Sequence, residues 1–409
     1  MIHAGVTHCA IPMSSGKTDF PNLLHRAAML AESGFDHARY GLYRAIGANN
    51  PKQIAAYLGY DDGQHVHVTG RVLSNAPYGG PLDDDGWWEN LLNTWRRWES
   101  DEVPSASVTL RFHDQEQSVQ ADDEGYYHAT FASRDQPGSA IEWQGVEATA
   151  RGKEGNVTAR HDILVPPVDA VYGIISDIDD TVLHTGLTSM LLAAKLTFLE
   201  NAKTRKPLDG VAKLYQKLQR GLSGGPLNPL FYVSSSPWNI HDLLVDFLTL
   251  NEIPVGPVFL RDLGIDRTKF IKTKGHGHKQ DRVLALLDSY PTLPFVLIGD
   301  SGQEDPSIYA TVATLRPGRV IAIYIRDVDP DRGSILDEAV HEATALAATA
   351  GVPMILAPDS RAMAEHACRI GLIPPEAEGS VEREVIRDEA RPETGEQAVQ
   401  DAVESILPE

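Results

Sequence analysis

At 409 residues the chain exceeds one typical domain, and a hydrophobic content of 42% is ample for buried cores. Its 57 acidic against 36 basic residues give a formal charge of −21, which argues against a nucleic-acid partner and disfavours unassisted adsorption to anionic membrane. No apolar run approaches the roughly 20 residues that span a bilayer, no signal-type apolar core follows a basic start, and Cys9 and Cys368 are too few for a disulfide framework or thiol metal site, so a cytoplasmic protein without a transmembrane segment is expected.

Leu23, Leu24, Ala27, Leu30 and Ala31 mark an amphipathic stretch whose weak, alanine-rich face predicts docking on its own domain rather than membrane insertion. From Lys52 the pattern turns to short alternating runs over 54–58, 65–72, 106–112, 126–131 and 140–146, separated by turn signals such as Asp122-Asp-Glu-Gly125. The spacing predicts an antiparallel β-sandwich-like domain with short helices over 1–165. Trp87, Trp88, Trp95 and Trp98 sit at helical spacing and read as core rather than as a ligand box. Pro166 and Pro167 stiffen a linker over 163–167.

The apolar run 171–175 then reads as a buried strand ending on Asp177-Ile-Asp179-Asp180-Thr181. Carboxylates at the carboxyl end of a parallel strand stand where open α/β sheets keep their sites. Two of them two residues apart can divide labour: Asp177 attacks a phosphorus and Asp179 protonates the leaving oxygen. An acidic turn capping the next helix is the alternative. A second run, 229–233, ends in Ser234, Ser235 and Ser236; Lys279 opens an amphipathic stretch; a third run, 295–298, leads to Gly299, Asp300 and Asp305. Asp177, Asp300 and Asp305 would repel one another without a cation among them, and hard oxygen ligands select Mg²⁺. His276 and His278 have no thiols or further histidines beside them for a zinc site. Helices over 188–199, 209–220, 240–250, 334–350 and 360–369 and strands over 257–260, 319–325 and 353–356 predict a doubly wound parallel sheet across 168–373. From Pro374 eleven acids and three arginines predict a flexible tail over 374–409, with a terminal helix near Val399 to Ile406.

The order Asp-x-Asp-x-Thr, strand-Ser, Lys, Gly-Asp-x-x-x-x-Asp resembles the haloacid-dehalogenase phosphatase superfamily. More narrowly, Asp177-Ile-Asp-Asp-Thr181, Tyr232-Val-Ser-Ser-Ser-Pro-Trp238, Gly256-Pro-Val-Phe-Leu-Arg-Asp262 and Gly299-Asp-Ser-Gly-Gln-Glu-Asp-Pro306 are similar to the catalytic domain of the actin-patch phosphatidate phosphatase family, relatives of the lipins, over about half the chain. The resemblance implies a Rossmann-like, Mg²⁺-dependent phosphatase with an aspartyl-phosphate intermediate and phosphatidate as substrate. It assigns metal binding to the Asp177 side chain, the Asp179 backbone carbonyl, Asp300 and, through water or a neighbour, Asp305. Phosphate binding falls to Lys279 and to one of Ser234, Ser235 and Ser236, with strand geometry favouring Ser234, the first after the apolar run. A soluble phosphomonoester substrate, or a phosphatidate sensor without turnover, are the other readings; a sensor is expected to lack one catalytic acid, and both are present. Residues 195–220 hold seven Lys/Arg against two acids and 261–282 hold seven against three, either solvated faces or a basic rim steering a phosphorylated lipid or small molecule during transient membrane-surface contact.

Overall fold

Isoleucine-rich runs without alternating polarity form strands buried on both sides, and they build the centre of the molecule. The computed structural model describes residues 50–74, 102–133, 137–153, 155–182, 208–222, 224–225, 227–261, 277–328 and 335–390. The amphipathic stretch 23–31, the tryptophans at 87–98, the apolar segment 188–199, most of the basic segment after Arg261 including His276, and the terminal helix near 399–406 lie outside these residues.

Six strands, β9 (Gly173–Ser176), β10 (Leu230–Pro237), β11 (Val258–Arg261), β12 (Phe295–Asp300), β13 (Val320–Arg326) and β14 (Met354–Ala357), form a parallel sheet in the order β11-β10-β9-β12-β13-β14. Successive side chains alternate between two cores. Ile174, Tyr232, Val296, Ile298 and Tyr324 enter one, while Ile175, Phe231, Val233, Leu297 and Ile323 enter the other. Helices cover both faces. The first core is closed by α1 (Val211–Arg220), α2 (His241–Leu250), α6 (Ser360–Arg369) and α7 (Glu376–Glu389). The second is closed by α3 (Gly277–Ser289), α4 (Asp305–Leu315) and α5 (Ile335–Thr349). Burying each such aliphatic or aromatic side chain contributes about 1.5–3 kcal/mol. The strand order reverses between β9 and β12, which opens a crevice at their carboxyl ends.

The N-terminal strands are β1 (Gln53–Ala56), β2 (Gly59–Asp61), β3 (His65–Leu73), β4 (Ser107–Phe112), β5 (Gln115–Gln120), β6 (Tyr126–Ala132), β7 (Glu142–Gly152) and β8 (Gly155–Val165). Instead of the two facing sheets expected, they share one hydrogen-bonded sheet, β1-β3-β2-β8-β7-β4-β5, with β6 added on β3. The sheet curls until its ends meet: the Gln115 side chain donates to the Ala132 carbonyl at 2.9 Å and accepts from the Ala132 N–H at 3.2 Å. Val66, Val68, Leu110, Phe112, Phe131 and Val146 fill the space inside.

Two expected boundaries are corrected. The segment 163–167 is no free linker: Ile163, Leu164 and Val165 are buried in the last turns of β8, and Leu164 joins the second core of the parallel sheet. The described residues from Pro51 onward therefore form one compact unit. The acidic tail also begins later than its composition suggests. Residues 376–389 are helix α7, which buries Ala377, Val381, Val385 and Asp388 while Glu376, Glu378, Glu382 and Glu389 face water. Its buried Asp388 accepts the Gly210 N–H at 3.0 Å, at the start of α1.

Candidate active site

Strand β9 runs only four residues, all buried, before the chain leaves the sheet at Asp177. The Asp177 N–H donates to the Ile298 carbonyl of β12 at 2.9 Å, which fixes the start of the turn. Asp180 turns the chain in the left-handed region (φ 55°), a conformation that aspartate tolerates better than most residues. The turn aims Asp177 and Asp179 in different directions.

Asp177 points into a buried carboxylate group. Its ligand atoms, with those of Asp300 and Asp305, all lie within 4.8 Å of one another, and all three residues are buried. Lys279, reaching in from the first turn of α3, stands 2.8 Å from Asp177 Oδ1 and pairs also with Asp305. Asp300 sits at the end of β12, where Oδ1 accepts the Gly302 N–H at 2.8 Å. Its buried Oδ2 has no hydrogen-bond partner among the described residues. Gly299 makes the arrangement possible, because a Cβ there would lie 2.6 Å from the Asp305 Cβ.

Asp179 is bonded instead at the end of β10. Ser234 Oγ donates to its Oδ2 at 2.6 Å and Ser236 Oγ to the same oxygen at 3.1 Å. The Ser236 N–H in turn donates to Ser234 Oγ at 2.9 Å. Ser234 is buried whereas Ser235 is exposed. The side chains of Ser234 and Lys279 are thus engaged with Asp179 and with Asp177 and Asp305. The Asp179 backbone carbonyl, expected as a metal ligand, accepts from Gln303 Nε2 at 3.3 Å.

Burial shifts these acids in the same direction. Burial pushes the Asp177 carboxyl well above the usual range; Lys279 opposes this, and the neighbouring Asp305, Asp179 and Asp300 add to it. Burial also raises Asp179, partly offset by the hydrogen bond from Ser234. Asp300 is pushed up to about 7 by burial and by Asp305. Burial alone would lower the Lys279 ammonium, but Asp177 and Asp305 more than reverse it and the net shift is upward.

The sequence brought Asp177, Asp179, Ser234, Lys279, Asp300 and Asp305 to attention, and all six meet at this end of the sheet. It did not single out Gln303, nor the bonds that Ser234 and Ser236 make to Asp179. Gln303 lies inside the Gly299-to-Asp305 motif, which is the signal that marks it.

A model of the family described as "Phosphatidate phosphatase APP1, catalytic domain" matches residues 172–327. The similarity is to that catalytic domain and is confined to this segment. The match begins at β9 and ends just after β13, so it holds all six site residues but neither the N-terminal sheet nor α5 to α7. Phosphatidate phosphatase APP1 of Saccharomyces cerevisiae is 34% identical over 155 residues, 38% of this chain and 25% of its own length. An uncharacterised protein of Schizosaccharomyces pombe is 30% identical over 175 residues, 42% of this chain and 28% of its own. The matched stretch thus spans about a quarter of either relative. Among solved structures, a carbohydrate acetylesterase from Xanthomonas citri aligns over 73% of each chain at 13% identity and a TM-score of 0.25, too faint to carry an argument.

Proposed function

We propose that the chain is a Mg²⁺-dependent phosphomonoester phosphatase of the haloacid-dehalogenase type, acting through an aspartyl-phosphate and taking phosphatidate as substrate. The observation that carries this reading is the division of the two acids: Asp177 pairs with Lys279 in a metal-competent group of buried carboxylates, while Asp179 is engaged by serine hydroxyls.

The residues fit a divalent cation. Three buried carboxylates carry three negative charges and Lys279 returns one, so a doubly charged ion would complete the balance. The orphaned Asp300 Oδ2 offers a lone pair, and an all-oxygen set suits Mg²⁺ better than a thiophilic metal. Asp177, Asp300 and Asp305 would hold it. When bound, the cation supplies the positive charge that lets an anionic nucleophile and an anionic phosphate approach each other.

The chain's own groups then act in sequence. An Asp177 carboxylate oxygen bonds to phosphorus while the phosphorus–oxygen ester bond breaks. Asp179, whose carboxyl burial pushes upward, passes its proton to the departing alkoxide. The carboxylate so formed accepts a proton from water, which attacks the aspartyl-phosphate and frees Asp177 and inorganic phosphate. Lys279 stabilises the carboxylates during both steps. Ser234 and Ser236 orient Asp179 and stand where a phosphoryl oxygen can be received; Ser235 is the other candidate for that contact.

Phosphatidate is supported by the family match of the catalytic segment. No described helix is long and apolar enough to cross a membrane. The reading has the lipid met by transient surface contact in a cytoplasmic setting. The test is phosphate release with Mg²⁺ from phosphatidate in mixed micelles and from a panel of soluble phosphomonoesters, with EDTA as control. Release from phosphatidate, abolished by EDTA, is expected. Preference for a soluble ester would keep the reaction and discard the lipid, and no release from any substrate would overturn both.

A further inference from the structure

The serine segment that holds Asp179 is weakly held by its own sheet. Pairing of β10 with β9 ends at Tyr232, and its register with β11 breaks between Val233 and Pro237, so the backbone of Ser234 to Ser236 falls in the gap. The chain then passes into a single turn of 3₁₀ helix at Trp238. Something else must fix this segment, and the N-terminal sheet reaches it.

Tyr57, in the two-residue connection between β1 and β2, stacks on Trp238 with ring centroids 4.4 Å apart and 26° between planes. The same ring meets His241 of α2 at 4.6 Å, and Tyr126 of β6 approaches Trp238 at 6.5 Å. Tyr57 is itself locked. It is 3% exposed, and its carbonyl accepts from His161 Nδ1 at 3.0 Å. That tautomer leaves His161 Nε2 to accept from the Tyr127 hydroxyl at 2.7 Å. Arg71 stacks over Tyr126 at 4.5 Å and backs the second ring. Three residues beyond Tyr57, Tyr60 lies edge-on to Phe231 and Phe259, and the Tyr290 hydroxyl donates to the Asp61 carbonyl at 2.9 Å. The segment 57–61 is thus anchored in the core at one end and at the other packs on Trp238, two residues beyond Ser236.

We propose that Tyr57 is a positioning residue: through Trp238 it keeps Ser234 and Ser236 within reach of Asp179, which makes the N-terminal sheet a working part of the catalytic apparatus. This rests on the phosphatase reading. Tyr57 touches neither substrate nor metal and acts through the stack alone. The effect therefore belongs in kcat, because a small displacement of an orienting group can cost up to about 100-fold in rate.

The experiment compares wild type with Tyr57→Leu, Tyr57→Ala and Tyr57→Phe, using phosphatidate in mixed micelles and p-nitrophenyl phosphate as probes. Thermal unfolding is followed with and without Mg²⁺. In the leucine and alanine variants kcat should fall about 10-fold or more, with KM within about twofold of wild type. Their unfolding should stay cooperative and the Mg²⁺-induced rise in Tm unchanged, because Asp177, Asp300 and Asp305 are untouched. The phenylalanine variant keeps the ring and should restore kcat. Wild-type kcat in a folded leucine or alanine variant, or failure of phenylalanine to restore it, would overturn the proposal. So would loss of cooperative folding in both truncated variants, since Tyr57 would then be a folding element. A wild-type protein that hydrolyses neither probe would instead overturn the function on which the proposal depends.

Discussion

Ser234 donates its hydroxyl to Asp179 at 2.6 Å from a strand that is not a sequence neighbour, and this bond separates the second acid of the motif from the first. Without it Asp179 would be held at this end of β10 by the longer bond from Ser236, 3.1 Å to the same oxygen, alone. The Ser234→Ala substitution should lower kcat by about 10- to 100-fold by releasing the proton donor from its orientation. Ser235→Ala, on the exposed neighbour, should stay within about twofold. Steady-state phosphate release from the two variants checks the contrast, and equal losses would place the phosphate contact on Ser235 as well.

Gly299 is the second lever. Alanine there would press its methyl group on Asp305 and push that carboxylate from the group it shares with Asp177 and Asp300. The expected cost is about 1–3 kcal/mol in urea denaturation, as for other overpacked sites. The Mg²⁺-induced rise in Tm should shrink in the same variant. An unchanged rise would show that Asp305 does not help to hold the cation.

His161 makes stability depend on pH. It is buried between the Tyr57 carbonyl and the Tyr127 hydroxyl, and burial lowers its pKa from 6.5 to about 4. The unfolded chain therefore takes up the proton first as pH falls. The contribution of neutral His161 is complete above pH 6.5 and is lost progressively down to about 4. Between pH 7 and pH 5 the loss should be about 2 kcal/mol. His161→Gln should flatten that part of the profile in urea denaturation at the two pH values, while lowering stability at pH 7.

Helix α7 gives a paired test. Val381 is buried against the first core and Ile386 is 56% exposed. Val381→Asp should cost about 3 kcal/mol or more by burying an unpaired charge, whereas Ile386→Asp should stay within about 0.5 kcal/mol. Similar Tm values for the two variants would mean that the helix does not pack as described.

Much of the α/β half was legible because its signals are local. Apolar runs such as 295–298 end on Asp300, and Pro306 marks the start of α4, so strands, helices and site residues follow from pattern and position. The β-rich half was harder to read. β5 reads Gln-Glu-Gln-Ser-Val-Gln and lies largely exposed, without the alternation that marks a half-buried strand. The run 163–167 looked like a linker because its prolines are local, whereas burial of Leu164 under the other sheet is not. Composition also misled at α7, where one buried stripe is enough to dock an acid-rich helix. The stack of Tyr57 on Trp238 joins positions 181 residues apart, and no periodicity marks such a pair.

The claim on which the account turns is that Asp177 carries the phosphoryl group. The direct measurement is rapid acid quench of the Mg²⁺-loaded protein with phosphate-labelled phosphatidate, followed by peptide mapping of the trapped label. The account predicts label on the peptide containing Asp177, formed at least as fast as phosphate is released, and neither label nor release from Asp177→Asn. Phosphate release that persists in Asp177→Asn, or label trapped on another residue, would contradict it.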